Sequence, residues 1–406
     1  MSYRIERLGL RGEGVAKGVF VARALPGEFV DGPVVDGRIT QPRILTPSAD
    51  RVSAPCRHYK ACGGCALQHA SDTFVAAWKQ QVVEQALAAQ GLSAPFRPLQ
   101  TSPAQSRRRA TLAGRRLKSG ALVGFHARGS DTVTDVAGCL LLHPALVAAL
   151  PALEAVTIEG CSRKGELALT LTALEDGIDL AVSDGKPLDT ALRLALPRIA
   201  ARHGLARLTW DGETLYQTHA PGLTFGGARV TPPPGAFLQA TAQGEAALTQ
   251  ALRAAIGGAR RVADLFAGCG TFALPLAERA EVHAVEGDSA MLAALDAGWR
   301  GSAGLKQVTT EARDLFRRPL LADELARFDA LVIDPPRAVA EAQFAQIAAA
   351  RVPVVGAVSC NPASFSRDAR ILVQAGYRID WVQVVDQFRW SSHVELAARL
   401  SLAHIG

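Results

Sequence analysis

The sequence predicts an α/β protein whose C-terminal part, 233–406, folds around an open, mostly parallel sheet. Apolar strands alternate with amphipathic helices throughout this part of the chain. A glycine-rich loop at Gly268 and Gly270 follows the first strand, and two later strands end in proline-containing polar turns at Asp334 and Cys360. This order is typical of a Rossmann-like sheet, in which ligands bind beyond the carboxyl ends of the strands.

Two further domains are expected before this sheet, because 406 residues exceed one ordinary core. Residues 1–48 contain short apolar runs separated by Gly and Pro turns, which predicts a small all-β barrel. The segments Gly12-Glu13-Gly14-Val15-Ala16 and Leu25-Pro26-Gly27-Glu28 resemble the TRAM domain, an OB-like RNA-binding barrel. A β-rich packing module is the alternative. Residues 49–232 mix strand and helix patterns and are expected to form a central α+β domain.

Composition narrows the class of protein. Apolar residues make up 49% of the chain and charged residues 20%, as in soluble globular proteins. No apolar stretch is long enough to span a membrane, and the first residues lack a signal pattern, so we expect a cytoplasmic protein without membrane association. Seven cysteines in such a chain favour metal ligands or nucleophiles over disulfides.

Positive charge is concentrated between positions 85 and 130, where eight basic residues occur without any acidic one. Such a segment suits a nucleic-acid phosphate backbone, although a solvated basic surface is the alternative. The candidate RNA-contacting residues are Arg107, Arg108, Arg109, Arg115, Arg116 and Lys118.

Three cysteines, Cys56, Cys62 and Cys65, lie within ten residues. Glycines between the last two allow both thiolates to approach one centre. Cys139 is the best candidate for a fourth ligand, and Cys161 is the alternative. Four thiolates suit either tetrahedral zinc or a [4Fe–4S] cluster, and the spacing does not distinguish the two.

The glycine-rich loop indicates a nucleotide-like cofactor. Gly268 and Gly270 allow a close backbone approach, and Glu286, at the end of the second strand, suits the paired hydroxyls of a ribose. The loop is not G-x-G-x-x-G and contains no basic residue for a pyrophosphate. The pattern therefore favours S-adenosylmethionine over NAD or FAD.

Cys360 is a candidate nucleophile. Carbon 5 of a pyrimidine is a poor nucleophile, but thiolate addition at carbon 6 would make it able to attack a methyl sulfonium. A base must then remove the proton from carbon 5, and Glu395 is the candidate.

Several segments together resemble the RNA uracil-5 methyltransferases, specifically the iron–sulfur branch that modifies 23S ribosomal RNA. These segments are Cys62-Gly63-Gly64-Cys65, Phe237-Leu238-Gln239, the loop that begins at Asp264, Asp334-Pro335-Pro336-Arg337, Ser359-Cys360-Asn361-Pro362, Asp386-Gln387-Phe388 and His393-Val394-Glu395. The resemblance implies a class I methyltransferase domain, Cys360 as nucleophile, Glu395 as base and 23S ribosomal RNA as the partner of a monomer. It implies a [4Fe–4S] cluster on Cys56, Cys62, Cys65 and Cys139. It implies an S-adenosylmethionine pocket lined by Gln239, Phe266, Thr271, Glu286, Asp314 and Asp334.

Some positions depart from the family pattern, namely Thr241, Thr271, Asp314, Arg389 and the pair Ala338-Val339. These departures concern cofactor contacts and the choice of RNA. A transfer-RNA target, methylation of cytosine carbon 5 or of an amino group, and a non-catalytic RNA-binding iron–sulfur protein remain as alternatives.

Overall fold

The computed structural model describes residues 2–336 and 340–403. Met1, positions 337–339 and the last three residues lie outside the described residues. Arg337, which ends the Asp334-Pro335-Pro336-Arg337 segment, and the departure at Ala338-Val339 are therefore outside the described residues.

Residues 2–48 form seven short strands in two sheets, of order β1-β5-β7 and β2-β3-β4-β6. Ile5, Val21, Val30 and Ile39 are fully buried between them. The strands are shorter than the apolar runs suggest, because glycine turns interrupt those runs. Their bounds are β1 Ser2–Arg4, β2 Arg7–Leu8, β3 Gly14–Ala16, β4 Val19–Val21, β5 Phe29–Asp31, β6 Arg38–Ile39 and β7 Arg43–Thr46.

The next two elements are α1, Asp72–Ala88, and β8, Phe96–Thr101. Ser71 caps α1, whose Val83 and Leu87 join the core of the C-terminal sheet. Strand β8 pairs in parallel with a strand of that sheet, with Phe96 opposite Val382. The range 49–232, expected to form one central domain, therefore gives a helix and an edge strand to the C-terminal sheet.

The central domain is a seven-stranded sheet of order β11-β10-β9-β12-β13-β14-β15 with helices packed on it. Its elements are β9 Arg109–Arg116, β10 Ala121–His126, β11 Val133–Asp135, α2 Pro144–Ala148, α3 Leu150–Gly160, β12 Leu167–Leu174, β13 Gly177–Ser183, α4 Thr190–Arg202, β14 Arg207–Trp210 and β15 Glu213–Gln217. The apolar pattern over 167–174 forms β12, and the helical pattern over 188–203 forms α4, which begins two residues into that pattern.

The C-terminal part begins at Leu223, ten residues before the predicted start at 233, with a hairpin that packs in the core of its sheet; a helix follows, and strands and helices then alternate. Its elements are β16 Leu223–Phe225, β17 Ala228–Val230, α5 Ala242–Ile256, β18 Arg261–Leu265, α6 Ala273–Leu276, β19 Glu281–Glu286, α7 Ser289–Arg300, β20 Val308–Ala312, α8 Ala322–Leu325, β21 Ala330–Ile333, α9 Glu341–Ala350, β22 Val354–Ser359, α10 Pro362–Gln374, β23 Tyr377–Asp386 and β24 Leu396–Leu402.

These strands form an eight-stranded sheet of order β20-β19-β18-β21-β22-β24-β23-β8. Every neighbouring pair is parallel except those that involve β24. Separate apolar cores cover the two faces, one around α5 and the other around α9 and α10. The predicted α/β class is confirmed. Within the described ranges, the structure contains no helix with the length and apolar character needed to cross a membrane.

Candidate active site

The polar residues predicted for the site follow the carboxyl ends of adjacent parallel strands. Gly268 follows β18, Glu286 ends β19, and Asp314 lies just beyond β20. Asp334 follows β21 and Cys360 follows β22. Because the strands are parallel, these residues share one edge of the sheet.

The glycine-rich loop has the backbone geometry that its sequence predicts. Phe266, Gly268 and Gly270 have positive φ angles of 65°, 56° and 94°. A Cβ at Gly270 would lie 2.8 Å from a side-chain carbon of Leu274, so no larger residue fits there without movement. The Gly268 N–H donates to Glu286 Oε2 at 2.9 Å, which joins the loop to the end of β19.

Two carboxylates beside the loop are oriented by main-chain donors. Glu286 Oε1 accepts from the Asp288 N–H at 2.9 Å, and Asp314 Oδ1 accepts from the Phe316 N–H at 3.0 Å. The rings of Phe266 and Phe316 lie 5.1 Å apart between centroids. Aromatic rings beside a strand-end carboxylate could hold a nucleoside, with the base against the rings and the ribose hydroxyls on the carboxylate.

Burial determines the charge of two further carboxyl groups. Burial, reinforced by the nearby Asp334 charge, raises the pKa of Asp264 well above its ordinary value. Burial raises the pKa of Asp334 to about 7, although the Gln239 amide donates to Asp334 Oδ2 at 3.3 Å. Thr271, another predicted cofactor residue, borders a cleft that also contains Glu245 and Thr249 of α5.

Cys360 and Glu395 leave the ends of neighbouring strands. The antiparallel pairing of β22 with β24 ends with Ser359 opposite Leu396. Cys360 directly follows β22, and Glu395 directly precedes β24, so the two residues lie at the same end of these neighbouring strands. Cys360 is partly exposed and lines a small cavity with Pro335 and Pro336, whereas Glu395 is only 4% exposed.

A chain of hydrogen bonds joins the Glu395 side of the site to the Asp334 side. The Gln387 Nε2 donates to Glu395 Oε2 at 3.0 Å and to Gln239 Oε1 at 2.7 Å. Gln239 in turn donates to Asp334. Gln387 received no role from its sequence motif. Its position directly after β23, at the same sheet edge, is the signal that could have identified it.

The loop between β23 and β24 is held by a segment from early in the chain. The N–H groups of Ala66 and Leu67 donate to the Trp390 carbonyl oxygen at 2.7 and 2.9 Å. The Lys79 ammonium of α1, fully buried, donates to Asp386 Oδ1 at 2.6 Å. Burial lowers the pKa of Lys79, and Asp386 opposes that effect. The cysteine-rich segment and α1 thus support the loop that carries Gln387 and Glu395.

Four of the predicted cysteine ligands lie in one region of the molecule. Burial raises the pKa of Cys65 to about 12, and negative charge on Cys139, Cys62 and Cys56 would raise it further. Cys161 is buried instead in the core of the central domain. Across residues 2–336 and 340–403, no three Cys, His, Asp or Glu side chains converge closely enough to hold a single metal ion.

Main-chain N–H groups donate to two of these cysteine sulfurs. The Gly64 N–H donates to Cys62 Sγ at 3.3 Å, and the Leu141 N–H donates to Cys139 Sγ at 3.4 Å. Burial lowers the pKa of Arg107, while negative charge on Cys65 and Cys139 would oppose that effect. The Arg107 side chain therefore lies near the cysteine region and is mostly covered by protein.

Two of the six candidate RNA-contacting cations have their side chains directed into the protein. Arg108 is buried, its Nε donates to the Gln239 carbonyl oxygen at 3.1 Å, and its guanidinium pairs with Glu245. Arg109 Nε donates to the Ala236 carbonyl oxygen at 3.0 Å, and burial lowers its pKa. These two arginines connect β9 to the start of the C-terminal part. Their charges are engaged within the protein.

The remaining basic candidates are near the surface. Arg115 pairs with Glu166 at 2.5 Å, Arg116 is half-buried, and Lys118 is exposed. All three belong to the β9–β10 hairpin, so the accessible basic surface is smaller than the sequence suggests.

Comparisons with known proteins identify the family and support the fold. No family model matches the chain. An uncharacterized RNA methyltransferase of Mesorhizobium japonicum is 42% identical over 98% of this chain and 97% of its own length. The 23S rRNA (uracil(1939)-C(5))-methyltransferase RlmD of Chromohalobacter salexigens is 35% identical over 96% of this chain and 87% of its own length.

Among solved structures, the fold is similar to that of the Pyrococcus abyssi tRNA (uracil-54, C5)-methyltransferase, which was crystallised with S-adenosyl-L-homocysteine. The TM-score is 0.78 at 21% identity, and 98% of this chain and 99% of that chain are covered. The fold is therefore of the Rossmann-like α/β class found in that methyltransferase. The chain belongs to the RNA methyltransferase family, as its identity to full-length relatives shows.

Proposed function

We propose that this protein transfers a methyl group from S-adenosylmethionine to carbon 5 of a uridine in RNA. The observation that carries the proposal is the pairing of Cys360 and Glu395 at neighbouring strand ends. A thiol and a carboxylate are the two groups that methylation at this carbon needs. RlmD of Chromohalobacter salexigens and the Pyrococcus abyssi enzyme are both named as uracil carbon-5 methyltransferases.

The chemistry assigns one role to each residue. The Cys360 thiolate adds to carbon 6 of the uracil, and the electron pair moves through carbon 5 toward the carbon 4 oxygen. Carbon 5 of the resulting enolate attacks the methyl group of the sulfonium, and the methyl–sulfonium bond breaks to leave the neutral thioether. Glu395 then removes the proton from carbon 5, the double bond reforms, and Cys360 departs as thiolate.

Local structure supports a reactive Cys360. The residue directly precedes Asn361, whose Oδ1 accepts from the Ala363 N–H at 3.1 Å as the N-cap of α10. The positive end of that helix dipole favours negative charge on a residue at this position.

Residues beyond the ends of β18 to β21 would hold the methyl donor. We assign Glu286 to the ribose, Phe266 and Phe316 to the base, and Gly268 to the close backbone approach. S-adenosylmethionine supplies an activated methyl group when bound. Gln239, Gly270, Thr271, Asp314 and Asp334 complete the proposed pocket.

Contacts outside the site would present the target base. A uridine reaches Cys360 only when single-stranded or flipped out of a helix, at a cost of a few kcal/mol. We assign RNA contacts to the strands of residues 1–48, as a TRAM-like barrel, and to the Arg115, Arg116 and Lys118 hairpin. We assign 23S ribosomal RNA as the target, and we expect a cytoplasmic monomer.

We also propose that Cys56, Cys62, Cys65 and Cys139 hold a [4Fe–4S] cluster, which would crosslink the early segment to the loop before α2. The proposal is supported by the placement of these four cysteines in one region and by the N–H donors at Cys62 and Cys139, since hydrogen bonds to the sulfurs tune such clusters.

The experiment is methyl transfer in vitro from labelled S-adenosylmethionine to 23S ribosomal RNA and transfer-RNA transcripts, followed by nucleoside analysis. We expect 5-methyluridine in the ribosomal transcript. Cys360→Ala should abolish transfer and leave RNA affinity nearly intact. Label in 5-methylcytidine or a methylated amino group would contradict the proposal.

A further inference from the structure

The side-chain amide of Gln387 connects three segments of the site. The residue is 2% exposed. Its Oε1 accepts from the Ala240 N–H at 2.8 Å, and its Nε2 donates to Glu395 and to Gln239. All of these distances lie in the ordinary range for hydrogen bonds.

The orientation of this amide is fixed by its partners. The Ala240 N–H can only donate, so the Gln387 oxygen must face it. Both amide hydrogens then face oxygen acceptors, one on the Glu395 carboxylate and one on Gln239. Flipping the amide would place its oxygen against the Glu395 carboxylate and its hydrogens against a donor.

A donated N–H has a particular effect on a buried carboxylate. Hydrogen bonds to an ionised group are about twice as strong as neutral ones, so they favour the ionised form. Glu395 must be ionised in order to accept the proton from carbon 5. The same bond fixes the position of one carboxylate oxygen, Oε2.

We infer that Gln387 is a positioning residue, which holds the Glu395 carboxylate ionised and aligned for proton removal and ties it through Gln239 to Asp334. The inference rests on the proposed function. It concerns the last steps of the reaction, which follow thiolate addition and methyl transfer. Losing Gln387 therefore slows release of the methylated uracil from Cys360 more than its formation.

The test uses Gln387→Met, which keeps the length of the side chain and removes its donors and acceptor. With natural RNA and S-adenosylmethionine, we expect kcat to fall about 10- to 100-fold. We also expect a covalent protein–RNA adduct that carries the transferred methyl to accumulate on a denaturing gel. The acid limb of the kcat profile should move to higher pH.

Gln343→Met is the matched control. Gln343 is 1% exposed, and its side chain bonds both main-chain groups of Leu320 at 2.9 and 3.1 Å. It should lose comparable stability but show no adduct and no shift of the pH profile. Gln387→Glu is a second variant, which keeps an acceptor for Ala240 and places negative charge beside Glu395, so it should accumulate still more adduct.

If folded Gln387→Met or Gln387→Glu shows a wild-type pH profile and accumulates no adduct, the inference is overturned and the proposed function is unaffected. Absence of methyl transfer in the wild type would overturn the proposed function and the inference with it. Wild-type turnover measured beside each variant therefore separates the two failures.

Discussion

At the scale of single residues, burial controls which carboxyl groups of the site carry charge. Asp334 has a pKa of about 7 because burial disfavours its ionised form. An unfolded chain ionises this group near its ordinary value of 3.8. Between these two values the folded protein retains a proton that the unfolded chain has released.

This difference predicts a pH-dependent stability. Because the folded state binds more protons in that window, the free energy of unfolding falls as the pH rises toward 7. From pH 5 to pH 8, Asp334 should account for a loss of about 2 to 3 kcal/mol. Urea unfolding of the wild type and of Asp334→Asn at both pH values measures it. An equal pH dependence in the two proteins would contradict the assigned protonation.

Single residues also differ in how far the sequence identifies them. The roles of Gly268 and Cys360 can be predicted from the sequence because they depend on the local turn in which each residue lies. The role of Gln387 cannot, since its partners are brought together only by the pairing of β23 with β24 and by the segment before α5. The burial of Arg108 could not be predicted from the sequence, because charge density does not reveal that Glu245 lies beside it.

At the scale of elements, the start of α10 determines the position of Cys360. Asn361 caps this helix, and Asp189 caps α4 of the central domain through a 2.8 Å bond from the Leu192 N–H. Replacing either cap by Ala should cost about 1 kcal/mol. We expect only Asn361→Ala to lower methyl transfer, since only that cap adjoins the nucleophile.

Thermal unfolding and single-turnover methylation of the two variants provide the measurement. Equal activity in Asn361→Ala and Asp189→Ala, at equal losses of stability, would mean that the α10 cap does not position Cys360.

The sequence predicted the alternating strands and helices of the C-terminal part because their apolar periodicity is local. It could not place β8, because pairing between Phe96–Thr101 and β23 joins segments almost 290 residues apart. The short α6 also differs from the longer helix that the pattern over 272–279 suggests.

At the scale of the whole molecule, the cysteine-rich segment lies against the loop between β23 and β24. The Ala66 and Leu67 bonds to Trp390 connect the proposed cluster to the loop that carries Glu395. Cys62→Ser should therefore lower iron content, visible absorbance, thermal stability and RNA affinity together. Full iron content or wild-type stability in this variant would contradict the assigned role.

RNA binding should depend strongly on salt through the β9–β10 hairpin. For single-stranded RNA, each neutralised phosphate changes the slope of log affinity against log salt by about 0.7. Lys118→Ala should reduce the magnitude of the slope by about that amount without loss of stability. Arg108→Ala should lower stability instead, because it leaves the half-buried Glu245 without its partner. An unchanged slope in Lys118→Ala would remove the hairpin from the RNA-binding surface.

The most direct test of the proposed reaction is covalent trapping on RNA that contains 5-fluorouridine. Fluorine at carbon 5 cannot leave as a proton, so Glu395 cannot complete the last step and Cys360 remains attached. With S-adenosylmethionine and a 23S ribosomal RNA transcript, we predict a protein–RNA adduct on a denaturing gel for the wild type and none for Cys360→Ala. An adduct in Cys360→Ala, or no adduct in a wild-type protein that methylates natural RNA, would contradict Cys360 as the nucleophile.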